Sequence, residues 1–572
     1  MNAYSQLFTK ATDFVGAVEG SVDPRTGQFT INLNVGTLTA NNGFGPHVPL
    51  ELSYSPMTQA NLGFGVGFGF GFSTYDQRTT LMSLASGTHY KVLECESSLS
   101  LIDAKLKEVS VEKLPGHYYK VMYKDGSFEL LTNPDTLSSL KVPYKTVSSN
   151  GHFVTLNWIY TNNQFRLVSI VDENNDTLVS ISYPDAQNLA TRIAVLPDRQ
   201  ALTKEKDNPE GYNIYLFFGD NHHLTKVTCD AAAGLEWKIG YTNLDGLGPW
   251  GQIASSVTHP GGLYEYVNYS KSKGHRFASV RTDMEASFYP YVTDFTHVPG
   301  GGQPIGTVHY DYEVINSHNF LGYAAPGIFA RNPTIDALFN CSDAKYNYHT
   351  LETHSDSAGT VTRIERTYNC FHQLIESTSV TNNCSVTKRT DYYSNPGAGF
   401  EAQLANFECP QTITLILSRA DPTTGEIVAT SQAVESFEYD DYGNLLEKSA
   451  SYTDVNGVMT HLGTITCEYY PADRAAPYDP NTGYGCPIDP NAYNRSNNIP
   501  RFMKSQTITP HSFSGDEKSM QTRFAYGQYG MPDAVTQLLA QSDPDHATSY
   551  AVFKSEQRKR WLGLSEQFRA SR

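Results

Sequence analysis

Glycine stands at every second position from Gly63 to Gly71 in the stretch GFGVGFGFGF, and a glycine-rich loop is one place where backbone N–H groups can cradle a phosphate. That chemistry also needs a helix start facing the anion, with a lysine or serine in reach. The chain instead continues as STYDQRTTL, which has no helical period. The alternation of Gly with Phe64, Val66, Phe68, Phe70 and Phe72 has the period of a β-strand, bare on one face and aromatic on the other. The expectation is a structural strand over Gly63–Phe72.

Other chemistry-bearing residues lead no further. HTLETH places His349 and His354 five apart around Glu352, which in a strand puts the two rings on opposite faces, as a metal pair would not be. His222 and His223 sit in a turn, where polar residues need no function. The chain has no Gly-x-Ser-x-Gly elbow, no His-Glu-x-x-His helix and no Gly-x4-Gly-Lys loop. Eight cysteines are scattered with no Cys-x-x-Cys pair, so free thiols are expected in preference to disulfides or metal. No cofactor, no metal and no catalytic residue is expected, and the chain is not read as an enzyme.

The elements that must carry these residues are strands. Tyr 37, Phe 28 and Gly 44 against Trp 4 and Met 9 suit pleated surfaces and the reversals between them. Phe29, Ile31, Leu33 and Val35 alternate with polar neighbours, as do Val48, Leu50, Leu52 and Tyr54, each run being bounded by Pro/Gly turn chemistry. YKDGS within HYYKVMYKDGSFELLTNP predicts a strand, an Asp-Gly turn and a strand. The net charge of −17 argues against a nucleic-acid partner. No apolar stretch is long enough for a membrane span, and the N-terminal sequence lacks the pattern of a signal peptide. Folding in the cytoplasm is expected, with any export by a specialised route.

One hairpin unit recurs. FGDNHHL (218–224), YNCFHQL (368–374) and YDDYGNL (439–445) share a spacing in which an aromatic ends one strand and a leucine opens the next, and YTNNQFRL (160–167) is one residue longer. Repetition of one unit predicts a long antiparallel sheet extended by stacking, which must curl because strand twist accumulates.

YDDYGNLLEK resembles the tyrosine-aspartate (YD) repeat of the rearrangement-hot-spot (RHS) proteins, and VDPRTGQFTINLNVGTL with the Gly/Phe run is similar to the N-terminal module of bacterial RHS toxins. The segments 310–323, 366–377 and 390–414 resemble blocks of insecticidal RHS proteins. The resemblance implies an all-β strip wound into a hollow or partial shell, as in the B and C components of Tc toxins. It also implies a toxin cargo or a complementary RHS chain as partner, with self-association if the strip is unclosed. Tyr439, Asp440, Gly443 and Leu445 then form one structural YD unit. DPTTGE (421–426) and DPNTGYG (479–485) only superficially match the self-cleaving core of that family and read as β-turns.

The domain organisation expected is a tail over 1–15, an N-terminal RHS module over 16–80, a β-rich repeat region over 81–330 and a YD-repeat sheet over 331–530. A C-terminal tail with a short helix would fill 531–572. A second reading is a carbohydrate- or surface-binding module, with Tyr264 and Tyr266 in GGLYEYVNYS as the candidate glycan platform.

Overall fold

The computed structural model describes residues 22–56, 61–96, 98–133, 138–161, 164–185, 189–200, 211–244, 251–270, 274–277, 289–313, 315, 317–326, 336–355, 359, 361–471, 476–479, 484–486, 500–511, 519–526, 532–539 and 549–554. Among the described residues the molecule is nearly all β and is dominated by one long antiparallel sheet of 29 strands that is not closed into a barrel. Apart from a parallel bridge between Gly485 and Ala525, neighbouring strands run antiparallel among the described residues, each usually pairing with the next in sequence.

The N-terminal module is a separate three-stranded sheet of Ile31–Thr39, His47–Tyr54 and Phe68–Phe70, in the register Leu33 opposite Leu52 and Leu52 opposite Phe70. Of the residues predicted to alternate, Phe29, Ile31, Leu33, Val48, Leu50, Leu52 and Tyr54 are buried, while the Val35 side chain lies outside the described residues. They form one core with Leu156, Leu167, Ile193, Leu216, Val257 and Phe295 of the long sheet, so the module fills the concave side of the first half of the strip. Fully burying each aliphatic or aromatic side chain of this kind contributes about 1.5–3 kcal/mol.

The glycine run departs from its expectation. Only Phe68–Phe70 is a strand, while Gly63, Gly65 and Gly67 have φ of 98°, 107° and 78°. A side chain at Gly63 would collide with Tyr183, and a Cβ at Gly65 or Gly67 would lie 2.9 Å from Leu224 Cβ or 2.8 Å from Tyr54 Cε2. Glycine is needed for left-handed backbone at close approach, a demand that also happens to alternate in sequence. Phe64, Phe68 and Phe70 are buried, and Val66 N–H donates to His222 O (3.1 Å), so the run is a wedge driven against the strip. The next element is the strand Thr74–Asp76 rather than a helix, which leaves no phosphate loop.

Between the module and the long meander lies a small roll of short strands over 74–132. The strand Leu140–Val147 pairs forward with Phe153–Thr161 and, through Leu140 and Lys141, back with Asp76 and Tyr75. Tyr75, Met82, Tyr90, Val92, Tyr119, Val121 and Leu131 fill its interior. A third core of aromatic side chains, including Phe320, Phe339, Tyr346, Tyr348, Phe371, Phe400 and Phe407, lies under the loops beside the strands Asn347–Ser355 and Val361–Asn369.

Beyond it, the strands Pro410–Ala420, Ile427–Tyr439, Leu445–Thr453 and Met459–Tyr469 are a single layer, with intermediate and exposed residues on both faces and Cys467 alone buried. Pro532–Leu539 and Ser549–Lys554 continue the sheet, so strands reach into the region read as a tail; residues 555–572 lie outside the described residues. Alternation in DAVTQL is too short to separate from a frayed end by sequence, and pairing with the strand Met520–Tyr526 decides it.

Candidate functional site

The recurring turn is the device that builds the strip. In 439–445, Asp440 Oδ1 accepts from the N–H groups of Tyr442 (2.9 Å) and Asn444 (2.8 Å), and Asp440 N–H donates to Asn444 O (3.1 Å). Gly443 sits at φ 69°, and Tyr439 pairs directly with Leu445 across a register shift. In 368–374 the same bonds run from Phe371 and Gln373 N–H to Asn369 Oδ1, with His372 at φ 61° and Tyr368 opposite Leu374. In 218–224, Gly219 occupies the acceptor position without a side chain, and His222 is at φ 61°. The three predicted copies therefore share the register and the backbone bond from the second residue's N–H to the sixth residue's carbonyl, while the side-chain acceptor is present only in 368–374 and 439–445; the fourth, 160–167, includes Asn162 and Asn163, which lie outside the described residues.

The same seven-residue turn also closes the hairpins 83–89, 122–128, 147–153, 171–177, 258–264 and 453–459. In each, the first and seventh residues pair, and the fifth (Gly87, Gly126, Gly151, Asn175, Gly262 or Gly457) has positive φ. Sequence reading found the hairpin at 122–128 through its Asp-Gly turn but did not recognise these six as copies of the recurring unit, because it keyed on an aromatic and a leucine at the ends. The constraint that recurs in all of them is a residue tolerant of left-handed backbone at the fifth position, often with an Asp, Asn or Ser at the second.

The turn 439–445 is also a docking point. Lys107 N–H donates to Asp441 O (3.1 Å), Lys107 Nζ meets Asp441 Oδ2 at 2.9 Å, and the same ammonium lies 5.6 Å from the Tyr442 ring centroid. Leu106 lies against Gly443, where a Cβ would be 3.2 Å from Leu106 Cδ2. Next to it, Lys105 Nζ donates to Glu401 O (3.0 Å) and sits 4.9 Å from the Phe400 ring centroid, and Arg501 donates to Asp125 O. The strip thus curls until its far hairpins rest on the N-terminal roll.

The predicted chemistry candidates fall where strand geometry puts them. His349 and His354 are on opposite faces of Asn347–Ser355: His349 Nδ1 contacts Thr367 Oγ1 (3.0 Å), while His354 Nε2 contacts Glu352 Oε1 (2.6 Å). Burial raises the Glu352 carboxyl, but His354 and Arg366 outweigh it and hold the group below its ordinary range. His222 is an exposed turn residue, and His223 packs on Tyr241. Tyr264 and Tyr266 project from the outer face of Tyr264–Tyr269, stacked at 5.4 Å between centroids with Tyr264 40% exposed. Cys229, Cys341, Cys370 and Cys467 are buried free thiols, whereas Cys95 and Cys384 are exposed. Among the described residues no group of three His, Cys, Asp or Glu could hold a metal ion, and no helix is long and apolar enough to cross a membrane.

Two polar clusters had no sequence signal. Glu94 gathers Tyr75 and Tyr119 hydroxyls (2.8 Å each), the Gln77 amide (3.0 Å) and Lys113 Nζ (2.8 Å) from three other segments of the roll. In the aromatic core, Tyr348 Oη lies 3.0 Å from His372 Nδ1, and His372 Nε2 lies 3.1 Å from Asp336 Oδ2, a close contact rather than an aligned hydrogen bond. The His372 and Asp336 side chains are 0% and 2% exposed, so this Tyr-His-Asp row cannot meet a substrate in this structure and acts on the fold. Arg25 Nη1 donates to His372 O (3.2 Å), tying the N-terminal module to the same turn.

No family model and no curated protein matches the chain. Among solved structures, TcdB2-TccC3-Cdc42 is similar with a TM-score of 0.35 at 9% identity, covering 92% of this chain and 44% of that one. TcdB2-TccC3 without its hypervariable C-terminal region gives 0.30 at 10%, covering 96% and 45%. A porin-like protein from Bacteroides uniformis gives 0.17 at 10%, covering 65% and 92%. The chain thus spans less than half the length of the TcdB2-TccC3 chains, and TM-scores of this size do not place two chains in one fold.

Proposed function

We propose that this protein is a non-enzymatic RHS-type wall, a shell or scaffold element of a bacterial toxin system that holds a toxin cargo or completes a shell with a complementary RHS chain. The observation that supports it is the single-layer curled sheet: strands over 410–469 carry no second layer among the described residues, yet the hairpin 439–445 reaches back to residues 105–107. A sheet that bends round to touch its own beginning encloses volume and covers its edges, and the N-terminal module packed in its concave side serves as a plug. On this reading the protein is made in the cytoplasm and leaves it by a specialised route.

Native mass spectrometry of the protein purified from its own cells tests this. A second polypeptide, retained in the particle and resistant to trypsin until the shell is denatured, is the expected result. A bare monomer with no retained chain and no shell-forming partner would overturn it.

A second reading is favoured by the outward-facing Tyr264–Tyr266 stack, since exposed paired rings are a platform for sugars. Retention on immobilised glycans, lost in Tyr264→Ala and Tyr266→Ala, would support a carbohydrate-binding module, and no retention across a broad panel would remove it.

A further inference from the structure

A cavity of about 260 Å³ lies where the N-terminal module, the roll and the long sheet meet. Its wall is mostly apolar, with Val48 and Phe72 from the module, Phe128 from the roll, and Val154, Leu156 and Ile170 from the sheet. It exceeds the roughly 150 Å³ cavity that accepts benzene in an engineered protein core. At one end stand Tyr123 and the buried Glu129. Tyr123 Oη donates to Glu129 Oε2 (2.6 Å) and is itself 2.9 Å from Ser73 Oγ, which accepts from Ala85 N–H (2.9 Å). A fixed set of hydrogen bonds therefore holds the carboxyl in place.

Among the described residues no cation faces the carboxyl. The groups acting on Glu129 are Ser73 and Tyr123, neither of them cationic, and burial pushes its carboxyl up against their hydrogen bonds. A buried acid without a cation costs free energy that an arriving positive charge recovers. An apolar cavity open at one side beside such an acid is complementary to a molecule with an ammonium head and a compact apolar body.

We infer that this cavity is a binding site for small aryl- or alkyl-amines, with Glu129 pairing the ammonium and the Phe72–Leu156 wall covering the apolar body. The inference is independent of the shell reading, because it concerns a site within the packed N-terminal part.

Titration calorimetry on the full chain tests it with phenethylamine, 2-phenylethanol and 3-phenylpropionate as probes, which share a ring and differ in head group. The amine should bind at least about tenfold more tightly than the alcohol, with the carboxylate weakest. Glu129→Gln should bring amine and alcohol to within about twofold of each other. Ala85→Trp, at an exposed rim position, should abolish binding of both while leaving the melting temperature unchanged. Equal binding of amine and alcohol to the unaltered protein, no binding of any probe up to roughly 10 mM, or amine binding that survives Ala85→Trp would each overturn the assignment. If Glu129→Gln does not fold, the probe ratio in the unaltered protein and the Ala85→Trp result decide.

Discussion

Lys107 and Asp441, 334 residues apart, meet side chain to side chain at 2.9 Å and are joined again through their backbones. Both side chains are more than half exposed, so the ion pair itself contributes little to stability and its value is as a marker of the curl. Zero-length carbodiimide coupling should join them by an amide bond, and mass spectrometry of the digest should find the Lys107 and Asp441 peptides linked. Lys107→Arg should remove that cross-link while leaving the fold intact. Absence of the cross-link in the unaltered protein would mean the strip does not return to the roll.

Gly443 is asked for twice, by its φ of 69° and by Leu106 against it. Gly443→Val should cost about 1–3 kcal/mol for left-handed backbone at a β-branched residue, read as a lower denaturation midpoint. Gly443→Asn should cost less, since His222 and His372 occupy the same turn position without glycine. Equal stability of the valine variant would contradict the assignment of this turn.

Glu94 gives a pH dependence with a definite sign. Burial alone would raise its carboxyl, but hydrogen bonds from Gln77, Lys113, Tyr119 and Tyr75 bring it down to about 2. Because the folded value lies below the unfolded one, its contribution is fully present above about pH 4.5 and is lost as the pH falls through about 2. Glu94→Gln should therefore be less stable than the unaltered protein at pH 7, with the gap narrowing between pH 4.5 and 2. A gap that is constant with pH would show that the cluster does not hold the carboxylate.

Asp336 faces His372 through one carboxylate oxygen and accepts from Leu338 N–H (2.8 Å) through the other. Asp336→Ala removes both in a buried site and should cost about 3 kcal/mol in chemical denaturation. Asp336→Asn, which keeps the cap, should fall between. A loss below about 0.5 kcal/mol in the alanine variant would show that the buried row does not support the core.

Local features were legible in the sequence, and contacts between distant segments were not. Alternation at Ile31 and Leu33 or at Leu50 and Leu52 reports which face is buried because side chains on a strand alternate. Turn residues report hairpins for the same local reason, and Tyr439 does pair with Leu445 across such a turn. The left-handed demand shared with Gly87, Gly151 and Asn175 was hidden under different flanking residues. The Gly63–Gly67 run was misread because glycine at period two satisfies a strand and a close-packed wedge equally, and only Tyr183, Leu224 and Tyr54 distinguish them. The Glu94 cluster, the His372–Asp336 contact and the docking of Lys107 on Asp441 each join separate segments that carry no local mark.

Small-angle X-ray scattering, with light scattering to fix the mass, tests the claim that the chain is a curled wall around a space. A solid globule of this length has a radius of gyration of roughly 25 Å. The account expects a clearly larger value at monomer mass with a pair-distance distribution skewed to long distances. A compact, symmetric distribution at roughly 25 Å would contradict it.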